Sequence, residues 1–162
     1  MPRKKSEQQG NGTAEQSRVI ARNRRANYDY DISQRFEAGL VLTGTEIKAL
    51  RAGKGSIAEA YVRPRGGELW LIGATIARYD AGTTKGHDPT RDRKLLLHKR
   101  EIDSLVDSFE QRSLTIIPLQ LYIIRGLAKL QVGLGRGRRQ HDKRQKISHR
   151  DAAKQIREAL RR

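Results

Sequence analysis

A chain of 162 residues is the size of one domain with tails, at ~100–200 residues per domain. It carries 34 Lys or Arg against 18 Asp or Glu, a formal net charge of +16 and a pI near 10.8, which points to a polyanionic partner. It has no cysteine, which excludes a disulfide framework, a thiol nucleophile and a Cys-ligated zinc, and no apolar run approaches the ~20 residues that span a bilayer.

The charge is uneven. Residues 134–162 carry 11 Lys or Arg against 3 Asp or Glu, which is half of the net charge, and residues 1–30 carry 7 against 3. This is a basic tail on a nearly balanced core. Such a tail suits a polyanion, a membrane surface or mere solubility. A hydrophobic share of 36% and a mean hydropathy of −0.77 are low for a chain folded throughout, so part of it is expected to be disordered alone. The N-terminus (MPRKKSEQQGNGTAEQS) is polar and lacks the apolar core of a secretory signal. A soluble cytoplasmic protein is expected.

In chain order, residues 1–17 are rich in Gln, Gly, Ser and Asn and read as disordered. Then comes ARNRRANYDYDI, in which Arg22, Asn23, Arg24 and Arg25 precede a strand-like alternation of Tyr28, Tyr30 and Ile32. Arginines beside aromatic residues suit RNA, because guanidinium groups contact phosphate and rings stack on bases. The same pattern also describes a charged strand entry with two core tyrosines.

The stretch FEAGLVLTGTEIKALRAGKG, from Phe36 to Gly55, changes period. Leu40 and Leu42 alternate as in a half-buried strand. Thr43 and Glu46 then form a T-x-x-E capping pattern, Ile47 and Leu50 follow at helical spacing, and Gly53 and Gly55 stop the helix. This predicts a strand running into a short helix through a tight turn at Gly44. Glu37 stands just before the apolar run, either as a solvated strand-end acid or as an acceptor for a partner's hydrogen bonds.

Two apolar runs flanking Arg65-Gly66-Gly67 predict a hairpin, with core packing as the expected role of Trp70. Residues 80–94 read as a loop. Arg91, Arg93 and Lys94 end it, immediately before Leu95, Leu96 and Leu97. That cluster is either a phosphate clamp with an apolar contact for a splayed base or a surface turn entering a buried strand. Ile102, Leu105, Val106 and Phe109 define an amphipathic helix that should cover an open end of the sheet. A second hairpin turns at Arg125-Gly126, and in its second strand Ala128, Leu130, Val132 and Leu134 alternate with the wet positions Lys129 and Gln131. Pro118 suggests an edge position or a bulge.

This order predicts a mainly β, α+β chain: a small barrel like the oligonucleotide/oligosaccharide-binding (OB) fold, with short helices. The expected organisation is an extension over residues 1–21, an RNA-binding core over 22–134 and a basic tail over 135–162. The first part of that tail lacks an apolar period. The second predicts a helix capped by Ser148, with Ala152, Ile156, Ala159 and Leu160 on one face. That face is too small to hold the helix alone, so folding on a charged surface is expected.

Candidate acids and bases for catalysis are Glu37, Glu46, Asp88, Asp92, His87 and His98, but no HExxH, GxSxG or Walker pattern joins them. His87, His98, His141 and His149 show no ligand spacing for a metal. A non-enzymatic protein without cofactor, metal or small-molecule substrate is expected.

The segments NRRA, FEAGLVLTGTEIKALRAG, GELWLIGATI, DPTRDRKLLLHKREI and GRRQHDKR occur in this order. Together they closely resemble the small protein B family, the SsrA-binding (transfer-messenger RNA-binding) proteins of bacteria, over residues 22–162. The resemblance implies an OB-fold core that binds the tRNA-like domain of transfer-messenger RNA. It also implies a role in trans-translation, the rescue of stalled ribosomes, as a monomer and with no membrane partner. The protein would stand in for a missing anticodon arm, with its tail probing the vacant mRNA channel against ribosomal RNA of the decoding region. The family's RNA-contacting positions correspond to Asn23, Glu37 and Leu96. Its tail segment corresponds to Gly137, Arg138, Arg139, His141, Asp142, Lys143 and Arg144. This chain reads Gly135-Arg136-Gly137-Arg138-Arg139 where the family commonly has a lysine-rich A-K-G-K-K, which keeps the charge and changes the donor geometry. The alternative is a ribosomal or other structured-RNA binding protein without a rescue role.

Overall fold

The structure is a computed structural model that describes residues 16–79 and 86–161, and the side chains of residues 140–143 fall outside that description. In chain order the elements are β1 (Arg18–Arg22), α1 (Ala26–Asp29), β2 (Tyr30–Leu40), α2 (Gly44–Arg51), β3 (Gly55–Ser56), β4 (Tyr61–Arg65) and β5 (Glu68–Ile72). There follow β6 (Thr75–Ile76), β7 (Arg93–Leu96), α3 (Lys99–Gln111), β8 (Thr115–Ile124), β9 (Leu127–Gly137) and α4 (Gln140–Ala159).

The strands form a closed antiparallel ring, β8-β4-β5-β7-β2-β9, which returns to β8 through the β8–β9 hairpin. This is the small OB-like β-barrel expected from the order of elements. β1 and β4 share one edge of β8, with Val62 of β4 opposite Ile116 and Arg22 of β1 opposite Gln120. Alternation fills the barrel. Val62, Leu69, Leu71, Leu95, Ile116, Leu121, Leu130, Val132 and Leu134 all face inward and are buried. Leu105 of α3 closes this core, with Ile102, Val106 and Phe109 half-buried beside it. Both hairpins turn on two residues of positive φ, Gly66-Gly67 and Arg125-Gly126, the geometry that matches strand twist.

Several expectations are corrected. β1 lies mostly inside the predicted 1–21 extension, because residues 18–22 gain a ladder on β8. Residues 1–15 of that extension lie outside the described residues, as do residues 80–85 of the predicted loop. Tyr28 sits in the short helix α1, and the strand starts only at Tyr30. Gly44 is the first residue of α2, so the turn spans residues 41–43 with Thr43 as N-cap. Of the two readings of Pro118 the bulge holds, with a register shift between Pro118 and Gln120, and the edge position does not, because the strand is paired on both sides. Trp70 is half-buried on the outer face: with Leu69 and Leu71 inward, alternation sends it out beneath the Arg65 guanidinium, 5.6 Å from the ring centre. The tail helix starts at Gln140, which leaves Ser148 in mid-helix.

Candidate nucleic-acid interface

The outer faces of β1, β8, β9 and β2 form one polar surface. Arg22, Gln120, Gln131 and Glu37 align across the four strands, one residue from each. The next outward row holds Tyr122, Lys129, Gly39 and Leu96, continuing from β8 to β7. Paired residues in an antiparallel ladder point to the same side, so these two rows adjoin. Glu37 is exposed and its Oε2 accepts a hydrogen bond from the Tyr122 hydroxyl. Leu96 is 51% exposed, although Leu95 beside it is buried. An apolar side chain held open at the end of a polar row offers contact area to a base without excluding the backbone.

Asn23 stands at one end of the first row. Its backbone N–H donates to the Leu119 carbonyl and its Nδ2 to the Pro118 carbonyl, at 2.9 and 3.1 Å. The bulge frees those carbonyls and Asn23 fills them. Ala26 of α1 packs on Ile117 and Leu119 in a small second core, which holds the 23–25 segment against the barrel. Arg24 and Arg25 are exposed on this rigid turn, and Arg25 lies 3.7 Å from Asp29.

The second predicted basic cluster divides. Arg93 is fully buried and does not reach the surface, which corrects its reading as a phosphate contact. Its Nε donates to Glu46 Oε1 at 2.9 Å, and its other nitrogens reach the Ala74, Asp88 and Pro89 carbonyls. Arg91 donates to both oxygens of Glu46, at 3.0 and 2.6 Å, and to the Val41 carbonyl, so its role is also internal. Glu46 completes the α2 capping box by accepting from the Thr43 backbone N–H. Burial alone would raise the Glu46 pKa. The hydrogen bonds from Arg91, Thr43 and Arg93 outweigh it and hold the carboxyl below the usual glutamate range. Lys94 and Leu96 point outward, Lys94 pairing with Glu68 at 2.6 Å. One strand, β7, thus sends Arg93 and Leu95 in and Lys94 and Leu96 out.

The other catalytic candidates have structural partners. His87 is held between Thr45 Oγ1 and the Ile76 carbonyl, both at 2.9 Å. Asp88 accepts from the backbone and hydroxyl of Thr90, Asp92 pairs with Arg65, and the His98 backbone donates to Glu101. Among the described residues no three His, Asp or Glu converge on a metal position, and no helix is long and apolar enough to cross a membrane.

The tail leaves the barrel through Arg138. Its N–H donates to the Asp29 carbonyl at 2.8 Å, and its Nε to the Tyr30 carbonyl at 3.3 Å. Lys146 donates to the Asn27 carbonyl. These cations satisfy carbonyls at the C-terminal end of α1, which has no basic residue of its own there. Arg138 is therefore tied to the barrel end, whereas Gly137, Arg139 and Arg144 are exposed. The side chains of His141, Asp142 and Lys143 lie outside the description. Beyond Lys146, α4 is exposed along its whole described length.

A family model described as SmpB protein matches residues 20–162. The chain belongs to the SmpB family. An SsrA-binding protein of Thermobifida fusca is 45% identical over 162 residues, covering 100% of this chain and 99% of the relative. Another from Halalkalibacterium halodurans is 45% identical over 145 residues, covering 90% and 94%. A solved structure described as "tmRNA-SmpB: a journey to the center of the bacterial ribosome" matches with a TM-score of 0.61 at 45% identity, over 78% of this chain and 92% of that one. The family match, over residues 20–162, spans the barrel and α4 alike.

Of the SmpB positions expected from the sequence, Asn23, Glu37 and Leu96 all lie on the outer belt, spread from the β1 end to β7. Sequence reading named Arg22 within the arginine cluster but passed over Tyr122 and Gln120 on this face. Their signal was the register of the second hairpin: once Leu121 and Leu130 are inward, Gln120, Tyr122, Lys129 and Gln131 must be outward.

Proposed function

We propose that this protein binds the tRNA-like domain of transfer-messenger RNA and delivers it to stalled ribosomes in trans-translation, its tail entering the vacant mRNA channel. The observation that carries this is full-length similarity. A relative 45% identical from end to end is named an SsrA-binding protein, and the description of a solved structure with 45% identity names tmRNA-SmpB and the bacterial ribosome. The chain's physical features support the reading. A net charge of +16 favours a polyanion. The outer face pairs fixed hydrogen-bonding groups, Asn23 and Glu37, with an exposed apolar residue, Leu96, a mixture suited to structured RNA with unstacked bases. Arg24, Arg25 and Lys94 would neutralise phosphates at its margins. Gly137, Arg139, His141, Asp142, Lys143 and Arg144 would meet ribosomal RNA, while Arg138 directs the tail. The protein acts in the cytoplasm as a monomer, and no catalytic step falls to it.

The test is the RNA that copurifies with the chain from cells. One long RNA with a tRNA-like end is the expected result. Ribosomal RNA alone would overturn the rescue role.

A further inference from the structure

We infer that Tyr122 is a positioning residue for RNA recognition: its phenol holds the Glu37 carboxylate in the orientation that accepts hydrogen bonds from nucleobase edges. The inference rests on the function proposed above. The Tyr122 hydroxyl donates to Glu37 Oε2. The two residues are not on paired strands. Glu37 of β2 is opposite Gln131 of β9, and Tyr122 of β8 is opposite Lys129 of β9. The Glu37 side chain and the phenol of Tyr122 together span the two inter-strand spacings, about 10 Å. Its ring must lie along the outer surface of β9, at the level of Lys129 and Gln131.

Glu37 needs such a holder. It is exposed, and a free glutamate loses rotamer entropy when a ligand orders it. Among the described residues it forms no ion pair with a Lys or Arg within 4.0 Å. A guanidinium clamp would occupy both oxygens and cancel the charge. A neutral phenol uses one lone pair of Oε2 and leaves Oε1 open, so the carboxylate remains a charged acceptor with a fixed direction. Such a group favours base N–H donors and repels phosphate, which gives it value for selecting RNA rather than merely attracting it. Burial and the contact with Glu37 push the Tyr122 hydroxyl well above the ordinary tyrosine range, so it stays protonated and keeps donating at physiological pH.

Tyr122→Phe removes one oxygen and keeps the ring. The experiment titrates the isolated tRNA-like domain, at one fixed salt concentration, against wild type, Tyr122→Phe, Glu37→Ala and the double variant, with thermal unfolding of each. Tyr122→Phe is expected to weaken binding about two- to tenfold, the range for one hydrogen bond, at an unchanged unfolding midpoint. In the Glu37→Ala background the same change is expected to have no effect. An equal loss in both backgrounds would mean that the hydroxyl acts on RNA or on the fold without Glu37, and would overturn the inference. So would an unchanged affinity of Tyr122→Phe. A wild-type protein that does not prefer the tRNA-like domain to a duplex of equal length would fail the functional reading itself, and this inference with it.

Discussion

At the scale of single residues, two glutamates show how position decides chemistry. Glu46 is fully buried and is bound by Arg93, Arg91 and a backbone N–H. Glu46→Gln would leave the Arg93 charge buried without its counter-ion, and is expected to cost about 3–5 kcal/mol of stability in denaturant titrations at neutral pH. The folded pKa of Glu46 is depressed, so its contribution is complete above the ordinary glutamate pKa and fades as pH falls through the lower folded value. The gap between wild type and Glu46→Gln should therefore close on acidification, and a gap independent of pH would refute the ion pair as the cause. Glu37, by contrast, is exposed on the outer face. If it were only tolerated near phosphate, Glu37→Ala would tighten RNA binding. As an oriented acceptor its loss should weaken binding by about 1–3 kcal/mol, and tighter binding with an intact circular dichroism spectrum would sink that role. The sequence marked Glu46 as a helix cap but not as a buried ion-pair partner, because its arginines lie 45 and 47 positions away and become neighbours only when β7 closes the barrel.

At the scale of elements, what was legible had a local signal. Gly66-Gly67 and Arg125-Gly126 announce hairpins because two-residue turns need positive φ there. The α2 cap was readable because both its partners lie within four residues. The pattern failed where two structures share a period or where a ladder is long-range. Tyr28 and Tyr30 alternate like a strand, but α1 can form because Ala26 finds Ile117 and Leu119 beneath it. Gly135 looked like the start of a flexible tail, and it is a barrel residue instead. A Cβ there would lie 2.6 Å from the Asp31 carbonyl oxygen, at the β2 bulge. Backbone cannot retreat as a flexible side chain can, so Gly135→Ala is expected to destabilise the barrel by about 1–3 kcal/mol. Gly137 has open space at the same position. Gly137→Ala should leave stability within about 0.5 kcal/mol. Equal effects at the two glycines, measured by chemical denaturation, would contradict this account of the β2–β9 junction.

At the scale of the whole molecule, the barrel and the tail divide the work by their solvation. The barrel buries an apolar core, whereas α4 is exposed from Ile147 onward, and Arg138 and Lys146 tie its start to α1 and the start of β2. The boundary between them lies after Arg139, beyond the point that composition alone suggested, because Gly135, Arg136 and Gly137 still pair with Ile32, Asp31 and Tyr30. Truncation after Arg139 removes 8 Lys or Arg and 3 Asp or Glu. It should leave the barrel folded and still selective for the tRNA-like domain over an equal-length duplex. Any contact the tail makes with RNA phosphate contributes by releasing counterions, so the shortened chain should show a shallower fall of affinity with salt. Truncation before Gly135 should behave differently and cost stability as well, since it strips three paired residues from β9. Rescue should be lost in both. In the proposed role, filling the mRNA channel costs the tail chain entropy, which its cations would offset against ribosomal RNA phosphate. If the chain truncated after Arg139 tags stalled peptides at the wild-type rate in a reconstituted ribosome assay, the tail is not the channel probe and the two halves do not divide the function.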